Sequence, residues 1–348
     1  MRQCALAICV MAALAWPGLC AGQGRQDDVR LDAPSPLAGA HEIARRTQTP
    51  TTFDRMQRYV TASGRQLAEQ TVDMAEARFD VFVPRRPPPP RGYALLIWIP
   101  PQDAFRVPMD WMPALEAHGM IYVSPREAGN DEIVFDRRMP LALHAAHGIA
   151  ARYPVDPERV FVGGFSGGSR TALRVALAYP DVFRGALLNA GSDVIGSPRL
   201  TPPPADLLRL FQTTTRLAYV TGAHDLPNRR ADAASQRSLQ EFCVQQVHRH
   251  SMGSRGHATP DRRTFQRVLA WLDAPPSPPD PAALEACRKG LSERVHADLA
   301  TVRGLLDGGD LVAAGRALGE ADQRWGGLAA PESVDLARRI ATGLADTR

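Results

Sequence analysis

Apolar and polar positions change rhythm several times along the chain, and each rhythm predicts an element. Residues 77–84 alternate with period two, as a half-buried strand does. Residues 94–99, Ala-Leu-Leu-Ile-Trp-Ile, are continuously apolar and are closed by Pro100-Pro101, the pattern of a strand covered on both faces. Residues 120–123, 159–163, 186–190 and 217–220 are further short runs of this buried kind. Residues 111–118, 139–153, 169–179 and 264–272 carry apolar positions at helical spacing. Strands alternating with helices predict an α/β protein with a doubly wound, mostly parallel sheet.

The rhythm is missing at both ends of this region. Residues 23–52 are polar with scattered Pro and Gly, which predicts a flexible arm ahead of a domain at 53–273. Residues 274–281 hold five prolines and read as a linker. Three helix-like segments follow at 282–306, 311–324 and 332–344, so residues 282–348 are expected to form a small helical domain.

Composition narrows the class. A hydrophobic fraction of 44% with 22% charged residues excludes wholesale disorder and a polytopic membrane protein. The net charge is +4, but the arginines lie scattered as pairs such as Arg85-Arg86 and Arg262-Arg263, with no basic run, so no nucleic-acid partner is expected. Met1-Arg2-Gln3, an apolar stretch over 4–16 and small residues up to Gly22 predict a cleaved signal peptide at 1–22 and an exported, periplasmic or secreted protein. The stretch is too short to span a bilayer. Lipoprotein anchoring at Cys20 is the rival, weakened by Leu19 where a small residue is usual. Cleavage would leave Cys243 and Cys287, either paired with each other or as two separate buried thiols.

Gly164-Phe165-Ser166-Gly167-Gly168 matches the G-x-S-x-G turn, between an expected strand and an expected helix, which makes Ser166 the candidate nucleophile. A serine hydroxyl needs a base and the base needs a carboxylate, in chain order Ser, Asp, His. Asp225 lies just past the run ending at Val220, and His257 on a glycine-rich loop before the last helix of the domain. Asp193 is the rival acid; His144, His147, His248 and His250 read as core or surface histidines, since no ligand spacing supports a metal. No cofactor and no metal are called for. The oxyanion donors expected are the Gly167 amide and, because Pro100 and Pro101 have no N–H, the amide of Gln102 or Asp103, with Gln102 the first available.

Over about residues 79–273 the chain resembles bacterial α/β-hydrolase esterases of the polyhydroxybutyrate depolymerase and feruloyl esterase type. The likeness rests on the run from Tyr153 to Gly168, on Tyr179-Pro180-Asp181-Val182-Phe183, on Val220-Thr221-Gly222-Ala223-His224-Asp225 and on Gly256-His257. It implies the α/β-hydrolase fold, Ser166, Asp225 and His257 as a triad, and a small or polymeric ester as substrate. Where those esterases often carry His-Gly-Cys or a similar glycine-bearing segment, this chain has Pro100-Pro101-Gln102. Two readings stand beside ester hydrolysis: a catalytically silent scaffold that binds a protein partner through its C-terminal helices, and a serine peptidase using the same three residues.

Overall fold

The computed structural model describes residues 22–66, 69–275 and 279–346. The expected signal peptide, apart from Gly22, lies outside the described residues, as do linker positions 276–278. The strands are β1 (Gly24–Val29), β2 (Phe79–Val83), β3 (Tyr93–Ile99), β4 (Met120–Pro125), β5 (Val155–Phe165), β6 (Gly185–Asn189), β7 (Arg216–Thr221) and β8 (Val247–Ser251). The helices are α1 (Ala40–Thr47), α2 (Pro50–Ser63), α3 (Met112–His118), α4 (Met139–Arg152), α5 (Gly167–Ala178), α6 (Ala205–Thr214), α7 (Leu226–Glu241), α8 (Arg262–Asp273), α9 (Pro281–Asp307), α10 (Leu311–Trp325) and α11 (Glu332–Asp346).

The strands form one sheet in the order β1-β2-β4-β3-β5-β6-β7-β8. The pairings from β4 to β8 are parallel, and β1 and β2 add an antiparallel edge. The expected doubly wound, mostly parallel sheet is therefore present. β3 shows why its sequence is apolar throughout: Leu95, Ile97 and Ile99 join one core, Ala94, Leu96 and Trp98 the other. On the second face Trp111 stacks on Phe265 at 4.0 Å and meets Trp98 edge-on at 4.9 Å, which seats α3 and α8. The Trp111 indole N–H also donates to the Pro260 carbonyl at 2.9 Å, fixing the chain three residues beyond His257.

Residues 23–52 are not the flexible arm their polarity suggested: they contain β1, α1 and the start of α2. The segment is held by ion pairs and by isolated apolar anchors, Leu31, Ala38 and Ile43, rather than by a periodic apolar face. Arg46 is buried, bonds Asp181 at 2.7 Å and Glu42 at 2.6 Å, and lies 4.4 Å from the centre of the Tyr179 ring. The hydrogen bonds from Arg45 and Arg46 outweigh the effect of burial and hold the Glu42 carboxyl down at about 2.

The C-terminal helices do not stand apart from the sheet domain. Leu291, Val295, Leu299, Leu318, Trp325 and Leu336 belong to the same core as β3 and β5. Thr51 donates to Asp322 at 2.6 Å and Arg338 to Asp54 at 2.6 Å, so α2 bridges the two. Cys243 and Cys287 form a disulfide with Cα atoms 5.7 Å apart, joining the end of α7 to α9.

Candidate active site

Ser166 sits between the end of β5 and the first turn of α5 with φ 56° and ψ −119°, a backbone conformation that costs on the order of 1–3 kcal/mol for a non-glycine residue. Glycines permit the turn. A Cβ at Gly164 would strike the Gly168 backbone, and one at Gly168 would strike the Ile99 carbonyl. The Ser166 amide donates to the Asn189 carbonyl at 2.8 Å, tying the elbow to the end of β6.

The loops carrying the other two residues are fastened together by main-chain bonds. Ala223 N–H donates to Gly253 O and His224 N–H to Arg255 O, both at 2.9 Å, and Gly222 passes too close to Arg255 and Gly256 to bear a side chain. Asn189 adds a side-chain bond to Val220 O at 2.8 Å and another to Ala258 O at 3.2 Å. As a result His257 Nδ1 lies 2.7 Å from Asp225 Oδ2, and His257 Nε2 lies 3.0 Å from Ser166 Oγ. The Phe165 ring packs 4.6 Å from the imidazole on its other side. Asp225 is buried, while the His257 side chain is 44% exposed and open to an incoming molecule.

Asp225 caps α7, and Asn228, three residues on, donates from Nδ2 to both carboxylate oxygens at 3.0 and 2.9 Å. Burial alone would push the Asp225 carboxyl up; the hydrogen bonds from His257 and Asn228 override it and hold the group below its ordinary value. Arg170 on α5 donates to Asn228 Oδ1 at 3.3 Å and to the Asp193 carboxylate at 3.0 Å. Arg174 binds the other Asp193 oxygen at 2.9 Å. Asp193, the rival acid, thus faces two guanidinium groups, and the described contacts do not join it to a histidine.

The remaining histidines serve elsewhere. His144 is buried, accepts the Ser35 amide at 2.9 Å on Nδ1, and is driven down to about 4 by burial. His248 stacks on Trp271, and His250 meets the same ring edge-on. Among the described residues no group of His, Cys, Asp or Glu could hold a metal.

On the opposite side of Ser166, Gly167 is the first residue of α5, one of the amides an α-helix leaves without an internal partner. Gln102 is exposed on the loop after β3. That loop is paired to the loop after β4: Asn130 N–H donates to Pro101 O at 2.9 Å and Glu127 N–H to Asp103 O at 2.6 Å. Arg138 is buried and clamps both, donating to Ala128 O at 2.8 Å and Pro100 O at 2.9 Å. Burial, helped by nearby Arg174, lowers its guanidinium to about 10. Sequence reasoning missed Asn228, Arg170, Asn130 and Arg138. Only Asn228 had a readable signal, since Asp at a helix start followed three positions later by an amide is a capping spacing.

Fold and geometry define a protein of the α/β-hydrolase architecture with a hydrogen-bonded Ser166, His257 and Asp225 at the carboxyl edge of its parallel strands. No protein-family model matches the chain. No curated protein matches it. Among solved structures it is similar to an S-formylglutathione hydrolase from Staphylococcus aureus, with 14% identity and a TM-score of 0.44 over 57% of this chain and 92% of that one. It is also similar to a poly(3-hydroxybutyrate) depolymerase from Bordetella parapertussis, with 16% identity and a TM-score of 0.42 over 61% and 88%. A thermostable esterase matches with 17% identity and a TM-score of 0.41 over 56% of this chain and 58% of that one, and the chain spans 33% of a dipeptidyl aminopeptidase IV from Bacteroides ovatus.

Proposed function

We propose that this protein is an exported serine hydrolase that cleaves carboxylic esters through an acyl-enzyme. The observation that carries the reading is the chain of short contacts from Asp225 through His257 to Ser166 Oγ, 2.7 and 3.0 Å long. In this reading His257 Nε2 takes the hydroxyl proton as Ser166 Oγ bonds to the ester carbonyl carbon, and the carbonyl electrons move onto oxygen. Asp225 keeps the imidazole in the required tautomer and stabilises its positive charge. Collapse expels the alcohol, protonated by His257, and water then releases the acid by the same steps in reverse order. The open face of His257 suits this second step, which needs a water.

Export is supported by the leader-like residues 1–22 and by the Cys243–Cys287 disulfide, a bond that persists in oxidising compartments. Among the described residues no helix is long and apolar enough to cross a membrane. The core shared between the C-terminal helices and the sheet domain favours a structural part for those helices over a free-standing binding module. The test is a fluorophosphonate label combined with p-nitrophenyl esters of graded chain length. Labelling at Ser166 with turnover of at least one ester is expected; a well-folded protein left unlabelled at Ser166 refutes the reading.

A further inference from the structure

We infer that the Asn130 side chain is the second donor to the oxyanion, in place of a main-chain amide from the loop after β3. Three observations converge on it. First, the loop after β3 opens with Pro100-Pro101, and neither residue has an N–H to give. Second, the Asn130 carboxamide lies directly against the Cα of Gly167, the residue whose own amide is the first donor: a Cβ on Gly167 would collide with Asn130 Oδ1. Third, the Asn130 main chain is fixed by its 2.9 Å bond to Pro101 O, and both loops are pinned by Arg138. Its carboxamide takes no hydrogen bond to another group among the described residues, although its backbone is held. A half-turn of the amide about its Cβ–Cγ bond, which needs no backbone movement, exchanges Oδ1 for Nδ2 as the atom beside the Gly167 Cα.

This inference rests on the acyl-enzyme reading. When Ser166 Oγ bonds to the carbonyl carbon, the π pair moves to oxygen, and the negative charge lies between the Gly167 N–H and the Asn130 Nδ2–H. An amide side chain set in advance at that point acts on the transition state more than on the ground state, so it alters kcat and leaves KM nearly untouched.

The experiment compares wild type, Asn130→Ala and Asn130→Asp in the full chain, using a turned-over p-nitrophenyl ester and a trifluoromethyl ketone. The ketone is converted by Ser166 into a tetrahedral oxyanion adduct. Asn130→Ala is expected to lower kcat by about 10²- to 10³-fold with KM within about threefold, and to weaken the ketone by a similar factor. Asn130→Asp should lose more, since a carboxylate opposes the oxyanion. Asn130 is exposed, so its truncation should leave the thermal midpoint within a few degrees of wild type. Turnover and ketone affinity retained in Asn130→Ala would overturn this inference alone. A wild-type protein that neither turns over ester nor takes the fluorophosphonate label overturns the acyl-enzyme reading and this inference with it.

Discussion

On the His257 flank of Ser166, polar side chains bond to one another, from Arg170 through Asn228 and Asp225 to His257. On the Gly167 flank, one buried guanidinium holds main-chain carbonyls at Pro100 and Ala128, and in the proposed mechanism the oxyanion donors come from the start of α5 and from the loops that guanidinium holds. Each flank solves a different problem. The base must move a proton and carry a transient charge, so it needs groups of particular acidity in series. The oxyanion side needs only donors held still, and any fold of two loops that presents N–H groups will serve. A change on the first flank should therefore alter the chemistry, and a change on the second should alter position.

The sharpest way to break this contrast is at the acid. In the proposed mechanism Asp225→Asn leaves the shape of the flank intact but supports the wrong imidazole tautomer, and it should lower kcat by roughly 10⁴-fold. Asp193→Asn removes a charge that two arginines share. It should reduce stability by about 1–3 kcal/mol, read as a lower thermal midpoint, with kcat within a few-fold of wild type. Equal rate losses in the two variants would show that the carboxylates act as one network and that the flank has no single acid.

The same contrast explains what the sequence made legible. The parallel sheet could be read because β3 to β7 must be apolar on both faces, and the hydrogen-bonded grouping of Ser166, Asp225 and His257 because the G-x-S-x-G turn and the order Ser, Asp, His single those positions out. Residues 23–52 misled because a helix such as α1, with Ile43 and Arg46 as its buried residues, has no apolar stripe to detect. Its one long-range ion pair, from Arg46 to Asp181, lies 135 positions away in the chain. Asn130 and Arg138 were silent for a related reason. A donor chosen by position alone leaves no motif, and a buried arginine bonded to carbonyls has no acidic partner whose spacing could betray it.

A test of the second flank is Arg138→Met. The buried cation is costly to hold, as the fall of its guanidinium to about 10 indicates, so removing it relieves a desolvation penalty while losing two hydrogen bonds. These effects oppose each other, and the thermal midpoint should move by about 4 °C or less. The loops after β3 and β4 lose their common anchor, and kcat should fall by about ten- to a hundredfold, the size expected for donors displaced by roughly 1 Å. A large loss of stability with an unchanged rate would make Arg138 a packing residue and remove the basis for treating that flank as a positioning device.

The smallest effect expected is at Asn228, and it bears on whether the base flank is as chemical as the contrast requires. Asn228→Ala removes the bonds from Nδ2 to both Asp225 oxygens, a charge-assisted contact of about 1.5 kcal/mol, so kcat should fall by about tenfold. The same bonds hold the Asp225 carboxyl below its ordinary value, so their loss moves it upward. A carboxylate with a depressed folded value contributes stability above its unfolded value, and that contribution fades as pH falls through the folded one. In Asn228→Ala the fading should begin at a higher pH. A merely structural Asn228 would lower the melting temperature by a similar amount at every pH and leave kcat unchanged. That result would reduce the series to Asp225 and His257, since Arg170 reaches it only through Asn228.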